Sequence, residues 1–505
     1  MAVVAGPHQG AAPATDPSSP PAGTAPWLLA AIVVLGALLR FTTLNEQSLW
    51  FDEATTWGIV HHGLGHVLAT VPRTESTPPL YYVLLWLWSR VFGTGAVGLR
   101  SFSALCGTLT IPIMWAIGRR LVSERVGLVA ALLTAVNPLL FWYAQEARSY
   151  SLLLLLSAVS LLALVRALQA PSVPRVLWWS IACALALASH YYAAVAIVSE
   201  AAWLGACLHR RGLLTGRRAI AGLAPVVAVG AALTPLMLEQ NDGRASFIST
   251  AEGSLPYRLG QLAKQDLIGE GQPHRALLTA LAGALALVAL ALLLRRAKRR
   301  ERSAALMALV VGAGGVVVAL LVSVAVSDYF NTRNLLPTWP ALALLAAIGL
   351  GAGRAGRTGT LATAALAVLS LFCVWNIVSD SGFQRPNWRG AAQVLGARSG
   401  PRAIVSDSHS QVTLDPYMRG LKPYPATGTR VREVDLVWLQ RHGPWGAIEP
   451  LTPVALPGFP RMSVVRTKSY VVVRYRAAAP QPEPAAALDR LYPLPASELS
   501  LLQRG

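Results

Sequence analysis

Two adjacent carboxylates, Asp52 and Glu53, close the run Trp50-Phe51-Asp52-Glu53 shortly after the first apolar segment of the chain. A general base is a carboxylate held within hydrogen-bond reach of the proton it removes, and a second acid beside it tunes its charge or binds a polar substrate. Trp50, Phe51 and Trp57 surround the pair. Aromatic side chains of this kind settle at the headgroup level of a bilayer, so the acids belong at that depth. Taken alone, the dipeptide reads equally as a solvated turn or a helix cap. The other polar groups must decide.

Four further polar clusters interrupt an otherwise apolar chain. They are Thr77-Pro78-Pro79-Leu80-Tyr81-Tyr82, Gln145-Glu146-Ala147-Arg148-Ser149-Tyr150, His190-Tyr191-Tyr192 and Asp328-Tyr329-Phe330-Asn331-Thr332-Arg333-Asn334. Each has a plain alternative. Pro78-Pro79 opens a helix, where a proline at the first position is tolerated, Glu146 with Arg148 forms a surface ion pair of little worth, His190 caps a span end, and Arg333 snorkels to headgroups. Whether all sit on one membrane face depends on the elements that carry them.

The chain has 505 residues, 54% of them hydrophobic and only 13% charged. Apolar runs near the length of a membrane crossing recur at 27–43, 99–118, 126–143, 149–167, 176–190, 191–208, 219–238, 275–294, 303–326, 335–351 and 359–378. A helix of about 20 residues covers a hydrocarbon core of roughly 30 Å, so a polytopic α-helical membrane protein of about eleven crossings is expected. The formal net charge of +19 does not point to nucleic acid. Its Arg and Lys lie in short loops between apolar runs, as membrane topology demands.

Those loops set the orientation. Arg119, Arg120 and Arg125, then Arg166 and Arg175, Arg210 through Arg218, Arg295 through Arg302, and Arg354 with Arg357 define five cytoplasmic loops. Alternation then places 44–98, 144–148, the turn near His190, 239–274, 327–334 and everything after 380 outside. The scheme requires that 80–92 be an interfacial or re-entrant helix, unless it crosses and another short run does not. With that orientation the five polar clusters share the outer face. Ionisable groups at span ends commonly face a polar cavity.

Four domains are expected: a disordered cytoplasmic tail over 1–26, rich in Pro, Ala, Gly and Ser, a membrane domain over 27–379, an extracytoplasmic α/β domain over 380–480 and a loose tail over 481–505 with one short amphipathic helix. The α/β expectation rests on strand-like runs at Arg402–Ser406, Val434–Trp438 and Tyr470–Arg474 and a helix over Asn387–Ala397. Cys106, Cys183, Cys207 and Cys373 fall in apolar runs without metal-ligand spacing and read as small core residues. Gly312-Ala313-Gly314-Gly315 sits within a span and reads as close helix packing rather than a phosphate loop.

The joint order of motifs resembles a known family. A first span followed by Phe51-Asp52-Glu53, a Pro78-Pro79-Leu80-Tyr81-Tyr82 helix start, Gln145 through Tyr150 at a span boundary, Ser189-His190-Tyr191-Tyr192 and Arg333-Asn334-Leu335-Leu336-Pro337 opening a late span are similar to the GT-C membrane glycosyltransferases. More closely they resemble the dolichyl-phosphate-mannose protein mannosyltransferases and their bacterial relatives, including the lipid A aminoarabinose transferases. The resemblance covers about 27–350, and the stretch opening Phe383-Gln384-Arg385-Pro386-Asn387-Trp388-Arg389-Gly390 resembles the outer domain of many bacterial members.

The resemblance implies a GT-C-like fold and transfer of a sugar from a polyprenyl-phosphate carrier to a lipid, glycan or protein acceptor hydroxyl, outside the cytoplasmic membrane. Asp52 would be the catalytic base, with Glu53 assisting. Arg333, Asn334 and Arg148 would bind the donor phosphate, as a guanidinium suits phosphate oxygens, and Glu146, His190, Tyr191, Tyr81 and Tyr82 become substrate-site candidates. No cofactor is certain. A divalent metal is possible, although Glu146 and Arg148 depart from the Asp-rich loop of related enzymes. Thr77 stands where the family usually has a His. A lipid-linked sugar flippase is the rival reading, but it would show inverted repeats and interrupted helices at mid-depth, whereas these polar groups gather at one surface. A tethered scaffold leaves the acidic outer face unexplained.

Overall fold

The computed structural model describes residues 24–212, 216–240, 253–396, 400–407, 409–439, 455–491 and 500–503. The expected cytoplasmic tail over 1–26 falls almost wholly outside these. The chain forms two compact units: Gly63–Asn376 with the residues up to Leu44, and Ile377–Gly505 with Asn45–His62.

The first unit is helical. Among the described residues seven helices are long and apolar enough to cross a membrane: Ala96–Leu121, Tyr150–Gln169, Ala221–Gln240, Arg275–Arg296, Arg299–Ala325, Arg333–Gly351 and Gly353–Ser379. A bent pair, Glu124–Val136 with Pro138–Ala144, makes an eighth, and Ala25–Phe41, Leu80–Phe92 and Val173–Ser189 are shorter apolar helices. The chain is thus a polytopic α-helical membrane protein. The Leu80–Phe92 helix has 13 residues; at 1.5 Å per residue it measures about 20 Å, short of the roughly 30 Å hydrocarbon core.

The 57° bend at Asn137 has a covalent cause. Pro138 has no N–H, so the carbonyl of Thr134 loses its helical partner. Arg40, fully buried, supplies the missing donors: its guanidinium bonds the carbonyls of Thr134 and Ala135, each at 2.8 Å. The chain restarts at once because the Asn137 side chain caps the next helix, accepting from the Leu140 amide at 3.0 Å. Close packing elsewhere uses glycine as expected: a Cβ on Gly312 would stand 2.8 Å from the Leu342 side chain, and one on Gly315 2.7 Å from Thr338.

The second unit is built on a six-stranded sheet of β1 (Arg402–Val405), β2 (Leu421–Pro423), β3 (Thr429–Leu439), β4 (Arg461–Arg466), β5 (Tyr470–Glu483) and β6 (Ser500–Gln503) in the order β2-β6-β1-β3-β5-β4. Only the β1–β3 pair is parallel. Trp388, Ala391 and Leu395 pack on one face with Ile404, Val437 and Val472, and Val434, Leu436, Trp438 and Val473 core the other. All three strand-like runs read from the sequence lie in β1, β3 and β5. The expected helix is Trp388–Leu395, capped by Asn387, whose side chain accepts from the Gly390 amide at 2.9 Å; position 397 is outside the described residues.

Two boundaries differ from expectation. The described residues of 481–505 are not a loose tail: β5 runs to Glu483, the short helix is Ala485–Asp489, and β6 is inserted between β1 and β2 with Leu501 and Leu502 buried. Asn45–His62 also belongs with the C-terminal unit rather than with the membrane domain. Hydrogen bonds fasten it there. Ser48 Oγ donates to the Pro386 carbonyl at 2.7 Å and accepts from the Trp388 amide at 3.0 Å, and Gln47 accepts from the Arg385 amide at 2.9 Å.

Candidate active site

In the membrane unit the polar clusters do converge. Arg148 sits in the turn that precedes the Tyr150–Gln169 helix and donates from both terminal nitrogens to Glu75, at 2.8 Å each. The planar guanidinium fork matches the carboxylate, and both side chains are largely buried, at 11% and 3% exposure. Tyr82 faces the same pair, with its hydroxyl 3.4 Å from Thr77 Oγ1. Tyr81 is buried edge-on against Tyr82. Gln240 ties this floor to the neighbouring turn: its amide donates to the carbonyls of Val71 and Thr77, and its oxygen accepts from the Tyr191 hydroxyl at 2.7 Å.

His190 occupies the turn after the Val173–Ser189 helix. Its Nδ1 accepts from the Tyr192 amide at 3.1 Å, which assigns the remaining proton to Nε2. The charges of Arg148 and Arg333 both act on this ring. With Nδ1 accepting, the ring is neutral and donates from Nε2. Tyr150 completes the group, its ring 5.8 Å from His190 and 6.0 Å from the Arg333 guanidinium carbon.

Arg333 opens a 3-10 turn, Arg333–Thr338, at the end of an ordered loop. Asn331 accepts from the Asn334 amide at 3.0 Å, and the Asn334 side chain donates to the Tyr329 carbonyl at 2.8 Å. Arg258 grips the same loop through Asp328 and the Phe330 carbonyl. Those hydrogen bonds hold the Asp328 carboxyl below the usual carboxylate range. Tyr143, beside Tyr150 at 5.0 Å, donates to Glu270 at 3.2 Å.

Arg148, His190, Tyr191, Tyr81, Tyr82, Arg333 and Asn334 are thus all placed in the membrane unit, and Arg148, His190, Tyr150 and Arg333 share one electrostatic neighbourhood. Glu146 is buried in the same turn, and Arg148 pairs with Glu75. Asp52 and Glu53 lie in the first turn of the Phe51–Val60 helix of the other unit, Glu53 fully buried and Asp52 half-buried. Glu75, Gln240, Arg258 and Glu270 were not anticipated. For Glu75 a signal existed: an acid two positions before Thr77, on the outer face by the orientation argument. Among the described residues no three His, Cys, Asp or Glu side chains converge as a metal-ligand set.

A family model described as dolichyl-phosphate-mannose-protein mannosyltransferase matches residues 76–235, the stretch that carries Arg148, Tyr150 and His190. In structure the chain is similar to ArnT from Cupriavidus metallidurans bound to undecaprenyl phosphate, with 14% identity, 90% of this chain and 98% of that one covered, and a TM-score of 0.53. The apo form of that protein matches at 18% identity over 74% and 70% of the chains, TM-score 0.48. The oligosaccharyltransferase of Archaeoglobus fulgidus matches at 12% over 73% and 55%, TM-score 0.43. No curated protein sequence matches. The chain thus shares the fold of the ArnT structure, and about a third of it matches the protein-mannosyltransferase family model.

Proposed function

We propose that the chain moves a sugar from a polyprenyl-phosphate carrier to an acceptor hydroxyl on the outer side of the cytoplasmic membrane. The observation that carries this reading is the convergence of Arg148 and Arg333 on the neutral His190 beside Tyr150. Glycosyl transfer needs positive charge where the phosphate leaves. Arg333, with Asn334 beside it and Arg148 nearby, receives the phosphate, whose oxygens suit a guanidinium. The similarity to a GT-C structure that holds undecaprenyl phosphate supports a polyprenyl carrier, and the five basic loops support the outer face.

In the reaction the acceptor oxygen attacks the anomeric carbon, the bond from that carbon to the phosphate oxygen breaks, and the lipid phosphate leaves with the electron pair. Asp52 takes the acceptor proton, and Glu53 orients or tunes it. Neutral His190 donates from Nε2, while Tyr81, Tyr82, Tyr191 and Glu146 shape the substrate pocket. Mass spectrometry of envelope glycans, glycolipids and glycoproteins from a deletion strain tests the reading. Loss of one sugar from one acceptor, restored by the gene, supports it; an unchanged envelope with an accumulated or mislocalised lipid-linked sugar favours the flippase.

A further inference from the structure

The bundle contains a carboxyl far from the outer-face cluster. Glu200 lies on the Ala193–Arg210 helix with 1% exposure, about 10 Å from the outer end of that helix at 1.5 Å per residue. Its Oε2 accepts from the Trp179 indole at 2.7 Å, and its Oε1 is 3.0 Å from Ser160 Oγ. Trp179 belongs to the Val173–Ser189 helix and Ser160 to Tyr150–Gln169. One side chain therefore joins three helices, and their outer ends carry Tyr150, His190 and Tyr191.

The surroundings bear on the state of this acid. Ser160 has one hydroxyl proton, and its oxygen is 2.9 Å from the carbonyl of Ser157, which can only accept. Ser160 Oγ donates either to Oε1 or to that carbonyl, and in the second arrangement Glu200 itself donates. No cation pairs with Glu200 among the described residues, and the one other titratable group facing it is the Cys183 thiol. An unpaired carboxylate in hydrocarbon surroundings is the costlier arrangement.

We propose that Glu200 is a neutral carboxylic acid in the folded protein, and that its proton pins the three helices that hold Tyr150, His190 and Tyr191. It is a positioning residue, since it touches none of the reacting groups. The positioning half rests on the donor-site reading above; the protonation half does not.

Two measurements test it on the full-length protein in lipid. Infrared difference spectra between wild type and Glu200→Gln at neutral pH should show the C=O stretch of a protonated acid lost with the substitution; loss of carboxylate stretches instead overturns the protonation. The side-chain amide of that variant reproduces the neutral acid, donating to Ser160 and accepting from Trp179, so Glu200→Gln should keep its fold and its kcat/KM. Failure of Glu200→Gln to fold also contradicts the proposal. Glu200→Ala should lower kcat/KM about 10- to 100-fold through misplacement, with the donor KM moving more than the acceptor KM. If Glu200→Ala leaves transfer unchanged while the infrared result holds, the acid is neutral but positions nothing.

Discussion

Arg148 and Glu75 face each other through two parallel hydrogen bonds of 2.8 Å, although 73 positions separate them in the chain. The pair joins the acid that follows the Leu64–Thr74 helix to the turn that starts Tyr150–Gln169. Removing one partner of a buried pair strands the other and costs about 3–5 kcal/mol, whereas removing both costs less. Thermal unfolding in detergent should therefore rank Glu75→Gln and Arg148→Met as each less stable than the double variant that combines them. Additive losses in the double variant would mean the two residues act independently.

A second buried clamp has a pH signature. Arg258 holds the Asp328 carboxyl below its ordinary value. A depressed folded pKa stabilises the protein fully above the unfolded value of about 3.9, and the contribution disappears as pH falls through the lower folded value. Wild type should lose Tm more steeply than Asp328→Asn as the pH is lowered from about 6 to about 3. Parallel Tm curves would show that the pair contributes no such term.

Much of the membrane unit was legible because length and hydropathy alone decide whether a helix can cross. The central strands were legible too, since β3 and β5 are long runs of β-branched and aromatic residues. What stayed hidden depends on distant partners. β6 is four residues in a Pro-rich stretch, and it becomes a strand only by pairing with β1 and β2. The attachment of Asn45–His62 to the C-terminal unit rests on bonds such as Ser48 to Pro386, 338 positions apart. Likewise Glu75 becomes a partner of Arg148 only through the fold, 73 positions away.

Orientation follows from the basic loops. Reporter tags after residues 122, 298 and 355 should read as cytoplasmic, because Arg119, Arg120, Arg125, Arg295 through Arg302, Arg354 and Arg357 cluster there. A tag at residue 400 should read as external. The further positions 214 and 250 lie outside the described residues; a tag should read as cytoplasmic at the first and as external at the second. A cytoplasmic signal at 400 would overturn the assignment of the sheet unit to the outer side.

If Arg333 meets the carrier phosphate, geometry as well as charge matters there. Arg333→Lys replaces a planar fork with a point charge and should weaken donor use, and Arg333→Ala should weaken it further. Steady-state kinetics with varied donor checks this. Unchanged donor KM and turnover in correctly inserted Arg333→Ala would return the residue to a headgroup anchor.

The most direct test of the central claim is the activity of Asp52→Asn, measured as sugar transfer from a polyprenyl-phosphate donor in vesicles at matched protein levels. The amide keeps the size of the side chain but cannot accept the acceptor's proton, so transfer should fall on the order of 10²–10⁴-fold while insertion and Tm are retained. Glu53→Gln should cost less. Asp52→Asn with activity close to wild type would contradict the assignment of Asp52 as the base.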